Sequence, residues 1–283
     1  MVDKRSVVTV VLCAAAALGA SAVMTKVVPA ADGAVASRVG TTGPTASSTS
    51  RPSQSQAAKQ PQLSTPRSPR PNGPVPEESG VTKIAGALFE GTVEGDHFCT
   101  ATVVHSPGRN LIVTAGHCLL AGPGAGGNAI FAPAYADGRA PYGTWKIEEV
   151  YEDPRWADDT DDDYDLAFAR LAPDAAGRNI EDVTGAATLD TTGRSGEEVT
   201  VTGYPADRKV PRTCTGLAVR TSQTEQRFDC ADFPGGTSGS AWLAKDGRII
   251  GILTGGDTDD VSTSTVLGDY AATLYGRATG AKR

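Results

Sequence analysis

The sequence predicts an all-β protein built from two six-stranded antiparallel β-barrels with a short C-terminal helix. Three features carry this expectation. After Gly80, short apolar and β-branched runs alternate with clusters of Gly, Pro and Asp, the pattern of strands separated by turns. The runs form two sets of about six, joined by one polar, Gly-rich connection from Pro173 to Gly196, and strands of this length and spacing suit barrels or sandwiches. Only the tail, DYAATLYGRA, reads as a helix.

The first set runs KIAGALF, FCTATVVH, NLIVTAG, AIFAPAY, WKIEEVY and DLAFARL. The second runs EVTVTGY, CTGLAVRTS, QRFDC, SAWLA and RIIGILTGG. With 33 glycines and 6% aromatic residues, the composition favours short strands and turns over long helices.

Upstream of the strands the chain has a different character. Lys4 and Arg5 precede an apolar run from Val7 to Leu18, and Ala20-Ser21-Ala22 supplies a small-residue cleavage site, so residues 1–22 read as a signal peptide. The alternative, an uncleaved membrane anchor, is disfavoured by the shortness of the run. Residues 23–80 are rich in Ser, Thr and Pro, and nine of the 18 prolines lie within residues 1–80. Such a segment cannot bury enough apolar surface to offset the entropy of ordering. It reads as a disordered linker or propeptide rather than a folded prodomain, leaving 81–283 as the folded domain.

Charge narrows the partners. The formal net charge is −7, but residues 81–283 hold 18 Lys/Arg against 29 Asp/Glu, a net of −11. An acidic domain of this kind does not neutralise phosphates, so nucleic acid is excluded as a partner; weak attraction of basic substrates is the expected long-range effect. No stable membrane association is expected once the signal is removed, and the domain is read as a monomer. Loss of Cys13 with the signal leaves Cys99, Cys118, Cys214 and Cys230, an even number in an exported chain, which indicates two disulfides. Metal binding by these thiols is disfavoured, because neither pair has a C-x2-C spacing.

Three segments bear chemistry: Thr114-Ala115-Gly116-His117-Cys118, Asp165-Leu166-Ala167-Phe168 and Gly235-Gly236-Thr237-Ser238-Gly239-Ser240. A serine hydroxyl needs a neighbouring base to become nucleophilic, an imidazole is such a base, and a buried carboxylate fixes its tautomer. One residue of each kind occurs, in the order His, Asp, Ser. His97 and His105 are read as ordinary core or surface residues. Asp163 is the rival to Asp165, which alone leads directly into an apolar strand; Ser240 is the rival to Ser238 but lacks the preceding Gly pair. The acidic run at 158–163 fits no standard calcium loop and reads as a solvated turn.

These segments resemble the trypsin-like serine peptidases, and are most similar to the secreted bacterial branch that includes glutamyl endopeptidases. The resemblance spans roughly residues 82–278. It implies a chymotrypsin-like fold and the catalytic triad His117, Asp165 and Ser238, with the Gly236 and Ser238 amides as oxyanion hole. It also implies the pairings Cys99–Cys118 and Cys214–Cys230 among the three connectivities four cysteines allow. RIIGILTGG resembles the strand lining the substrate cleft, which places Gly255 and Gly256 in the pocket. Counting six residues back from Ser238 gives Asp232, where trypsins carry the pocket aspartate that selects Arg or Lys; Phe233 and Pro234 differ from the trypsin pattern, and a surface loop residue is the alternative reading of Asp232. Thr237 departs from animal trypsins, whose aspartate at that position pairs with the freed N-terminus. The implied function is a serine endopeptidase acting on protein or peptide substrates through an acyl-enzyme, with no cofactor and no metal. Two alternatives remain: a non-catalytic binding protein on the same fold, and an esterase sharing the triad.

Overall fold

The computed structural model describes residues 83–119 and 127–280. The expected signal peptide (1–22) and the linker or propeptide (23–80) lie outside the described residues. The first barrel is formed by β1 (Ala85–Glu90), β2 (His97–Val104), β3 (Leu111–Thr114), β4 (Ala129–Pro133), β5 (Trp145–Glu152) and β6 (Ala167–Leu171). Its six antiparallel strands close in the order β1-β2-β3-β6-β5-β4, with β1 and β4 pairing to complete the ring.

The second barrel comprises β8 (Glu198–Gly203), β9 (Arg212–Arg220), β10 (Glu225–Asp229), β11 (Ala241–Ala244), β12 (Arg248–Thr258) and β13 (Val261–Thr265). Its order is β11-β8-β9-β10-β13-β12, and the β11–β12 pairing closes it. A two-residue strand, β7 (Thr188–Leu189), adds to β12 in parallel. The two expected six-stranded barrels are therefore present. The sequence reading missed β13, whose VSTST segment carries small hydroxylated residues in place of an apolar run. Its inward-facing Ser262 and Ser264 are nevertheless buried, and the Ser264 hydroxyl is satisfied by accepting the Ile252 amide at 2.8 Å and donating to the Thr265 carbonyl at 2.8 Å.

Among the described residues, three complete α-helices decorate the barrels: α1 (Pro154–Asp159), α2 (Ile180–Thr184) and α3 (Asp269–Ala278). Only α3 was expected, and it coincides with DYAATLYGRA. The start of α1 was readable, since Asp153 caps it by accepting the Arg155 amide at 3.0 Å and Pro154 occupies the first turn. No helix among the described residues is long and apolar enough to cross a membrane.

One core fills the first barrel with Leu88, Val103, Phe131, Trp145 and Phe168, and continues into Leu243, Ile249 and Ile252 of the second barrel and Leu274 of α3. The second barrel has its own core of Val199, Val201, Phe228, Trp242, Ile250 and Leu253. Phe228 is fully buried and meets the Phe233 ring at 6.4 Å and the Trp242 ring at 5.6 Å. Phe228→Ala should therefore cost about 3–5 kcal/mol in urea denaturation, whereas Val219→Ala, at a side chain 47% exposed on the same barrel, should stay within about 0.5 kcal/mol.

Candidate active site

The pairing of β3 with β6 decides where the histidine and aspartate meet. Thr114 lies opposite Ala167 in this antiparallel register. Continuing both strands past that pair brings His117, in a 3-10 turn at Gly116–Cys118, to Asp165. The Asp165 Oδ1 accepts the His117 backbone N–H at 2.8 Å, and Oδ2 lies 2.7 Å from His117 Nδ1. With the carboxylate on Nδ1, a neutral ring holds its proton there and presents its lone pair at Nε2. Asp165 is 3% exposed, whereas the His117 side chain remains one-third exposed (32%).

Gly116 makes this approach possible. A Cβ there would lie 2.5 Å from the Trp156 ring and 3.0 Å from Asp165 Oδ1. Trp156, on α1, faces the His117 ring edge-on at 6.5 Å. Asp163 sits in the preceding 3-10 turn and has no contact with His117 among the hydrogen bonds of that turn; its amide donates to Asp161 Oδ1 at 3.2 Å. His97 is buried with Nε2 2.8 Å from the Pro205 carbonyl, and burial holds its pKa below the usual histidine value. His105 pairs with Glu181 at the surface. Both fill the ordinary roles expected of them.

Ser238 comes from the second barrel, in the turn before β11. Its carbonyl accepts the Thr100 amide of β2 at 2.8 Å and lies 3.8 Å from Cys118 Sγ. The Cys99 and Cys118 sulfurs are bonded to each other, and a His117 ring nitrogen lies within 4.8 Å of both. One disulfide therefore touches both the histidine turn and the serine turn. Sulfurs joined in this way offer no thiolate to a metal. The second disulfide joins Cys214 to Cys230. Ser240 is fully buried, and its hydroxyl is spent on the Thr237 carbonyl at 2.6 Å.

The serine turn has an ordered set of bonds. The amides of Thr237, Gly239 and Ser240 donate to Pro234, Leu253 and Thr237 carbonyls. Among the described residues, the amides of Gly236 and Ser238 have no protein acceptor. Gly236 has φ +95°, and a Cβ there would lie 2.4 Å from the Ala206 amide nitrogen, so only glycine fits. The Thr237 hydroxyl donates to the Pro234 carbonyl at 2.7 Å, closing the turn without a charge.

Ser238 borders a cavity of about 270 Å³ lined by Phe233, Pro234, Leu253 and Val261 and by the exposed Gly255, Gly256, Asp257 and Asp259. A second cavity of about 260 Å³ shares Gly255–Asp257 and reaches Asp162, Asp163 and Asp165. Among the described residues, neither lining contains Lys, Arg or His. The structure corrects the expectation for Asp232. Its side chain is 48% exposed and bound by both Arg208 terminal nitrogens at 2.6 and 2.7 Å, and it does not line the cavity beside Ser238. Asp232 has φ +73°, and the adjacent Phe233 is the residue that is buried and lines the cavity.

Sequence reasoning also missed Glu152. It ends β5 opposite Ala167, and its Oε1 is buried without a hydrogen-bond partner among the described residues. Burial, then the charge of Asp165, push its pKa up to about 7.

Two closed antiparallel barrels, contributing a histidine–aspartate pair and a glycine-bounded serine turn, define the chymotrypsin class of β-barrel fold. The chain belongs to the trypsin-like peptidase family: the trypsin-like peptidase domain matches residues 99–252, more than half of its length. It is similar to a glutamyl endopeptidase of Staphylococcus epidermidis, with 28% identity over 63% of this chain. The match spans 61% of that relative's own length. Two solved structures resemble it at 27% identity over 72% of this chain. They are the protease Anisep of Arthrobacter nicotinovorans (TM-score 0.62, 98% of that chain) and the thermostable serine protease AL20 of an extremophilic microorganism (TM-score 0.63, 100% of that chain).

Glu152 yields a stability prediction with a defined sign. Its folded pKa of about 7 exceeds the unfolded value, so the folded state binds the extra proton between the two values. Its contribution is therefore lost as pH rises from about 4.5 to 7. Glu152→Gln should raise Tm at pH 8 but not at pH 4. A gain of roughly 2–4 °C is expected for each kcal/mol of relieved penalty, read by calorimetry at both pH values.

Proposed function

We propose that the protein is an exported serine endopeptidase, with residues 1–22 as signal peptide, 23–80 as linker or propeptide and 81–283 as peptidase domain. Family membership and relatives named as proteases support the reaction class. The observation that carries the residue roles is Asp165 gripping both the amide and the ring of His117, beside a disulfide in contact with Ser238.

In this reading the Ser238 hydroxyl attacks a peptide carbonyl and passes its proton to His117 Nε2. The oxyanion accepts hydrogen bonds from the Gly236 and Ser238 amides. His117 returns the proton to the leaving amine, the acyl-enzyme forms on Ser238, and water releases it by the same sequence. Buried Asp165 holds the tautomer and stabilises the imidazolium. No step requires a cofactor. The substrates are proteins or peptides, and four cysteines paired in two disulfides agree with an oxidising, extracellular compartment.

The cavity beside Ser238 also bears on the side chain next to the cleaved bond. Apolar walls with no cationic group among the described residues, and with the exposed Asp257 and Asp259 in the lining, disfavour a glutamate there. A Lys or Arg stem fits the same walls while its head reaches the carboxylates. Specificity thus departs from that in the names of the staphylococcal relatives, and Asp232 plays no part in it.

Two measurements test this. A fluorophosphonate should label Ser238 alone in the full-length chain, and Ser238→Ala should lower kcat/KM for a peptide by several orders of magnitude; Asp165→Asn should lower kcat about 10⁴-fold. Labelling elsewhere, or turnover of esters but never of peptides, would overturn the endopeptidase reading. Fluorogenic peptides with Arg, Leu or Glu before the cleaved bond should show Arg above Glu by at least about tenfold, with Asp232→Ser leaving that ratio intact.

A further inference from the structure

The serine turn is held from outside by one side chain of the opposite barrel. Thr100, on β2, is fully buried and has every polar group engaged. Its amide donates to the Ser238 carbonyl at 2.8 Å, and its carbonyl accepts the Thr114 hydroxyl at 2.7 Å. Its own hydroxyl donates to the Gly236 carbonyl at 3.0 Å and accepts the Tyr204 amide at 2.8 Å. The Tyr204 segment in turn holds the turn's entry, since the Ala206 amide donates to the Gly235 carbonyl at 2.9 Å.

Peptide planarity converts these bonds into direction. In a trans peptide the C=O and N–H point to opposite sides. Fixing the Gly235 carbonyl on Ala206 therefore aims the Gly236 N–H away from it. Fixing the Thr237 carbonyl on Ser240, at 2.6 and 3.1 Å, aims the Ser238 N–H likewise. The peptide unit between these two donor-bearing units is Gly236–Thr237, and Gly236, with no Cβ, resists rotation of that unit weakly. Apart from the Thr237 amide's bond to Pro234, the hold on that unit is its carbonyl's bond to the Thr100 hydroxyl.

We propose that Thr100 is a positioning residue for the oxyanion turn: its hydroxyl, bridging the Tyr204 amide and the Gly236 carbonyl, locks the peptide plane between the two donor amides. The inference rests on the peptidase reading above. Loss of the hydroxyl frees the Gly236–Thr237 unit to rotate and leaves the Gly236 carbonyl and Tyr204 amide without this partner. The donors then meet the oxyanion imperfectly, while the cavity walls formed by Phe233, Leu253 and Val261 lie outside the freed unit. Its signature is a fall in kcat without a matching rise in KM.

Two substitution pairs isolate the hydroxyl, because each pair differs in little else: wild-type Thr100 against Thr100→Val, and Thr100→Ser against Thr100→Ala. In the full-length chain, kinetics on a fluorogenic peptide should show kcat falling roughly 10- to 100-fold across each pair, less than the loss of a whole oxyanion donor. KM should change by less than about threefold, and Thr100→Ser should keep most of the wild-type kcat. Measurements well below each variant's Tm separate this from lost stability. If Thr100→Val does not fold, the Ser and Ala variants decide alone. Equal kcat within a pair, or a loss confined to KM, overturns the inference. Wild-type protein that neither labels at Ser238 nor cleaves peptides would instead overturn the peptidase reading.

Discussion

The site depends on a carboxylate that the fold buries and then satisfies from a single neighbour. Asp165 is 3% exposed, and an ion in that position is costly unless hydrogen bonds replace its hydration. His117 supplies two of them, from its amide and from Nδ1. The same two bonds fix the histidine turn and the ring, so burial cost and geometry are settled together. The β3–β6 register, the missing side chain at Gly116 and the Trp156 ring all serve that contact. Glu152 limits how favourable it can be: a second carboxyl nearby adds negative charge and holds its own proton until about pH 7.

A second constraint follows from splitting the functional groups between barrels. His117 and Asp165 belong to the first, Ser238 to the second, and their relative placement is only as good as the seam between them. That seam is polar where it meets the serine turn, and both disulfides lie within single barrels rather than across it. The Cys99–Cys118 disulfide touches the Ser238 carbonyl, and Thr100, next to Cys99, hydrogen-bonds the same carbonyl. Around these bonds the seam is apolar, since the first core runs on into Leu243, Ile249 and Ile252. Directional bonds set the register while apolar burial supplies the adhesion.

Features with a local code were legible in the sequence. The strands of the first barrel, α3, and the three motif segments each announce themselves within a few residues. Features that arise from tertiary contact were not. Thr100 lies within an ordinary strand pattern, and nothing in FCTATVVH reveals that its hydroxyl crosses to the other barrel. β13 hid because its buried face is built from serines satisfied by neighbouring backbone. Asp232 failed for a related reason: counting along the chain preserved its place but not its backbone turn, and Arg208, 24 residues away, takes its charge at the surface. Glu152 gains its perturbed proton affinity from burial and then from Asp165, neither of which spacing encodes.

The residue before the serine shows how a neutral solution differs from a charged one. Position 237 is 1% exposed. An aspartate there, as in animal trypsins, would be a buried charge that stabilises its turn only when a cation arrives to pair with it. Thr237 removes that dependence. Its hydroxyl and amide both donate to the Pro234 carbonyl, at 2.7 and 3.2 Å, three residues back in the same turn. The bonds are local and carry no desolvated charge. Together with Ser240 on the Thr237 carbonyl and Thr100 on the Gly236 carbonyl, they hold the turn through uncharged hydrogen bonds, some of its own and some from the opposite barrel. Among the described residues, the bonds that set its two unpaired amides all come from the folded barrels.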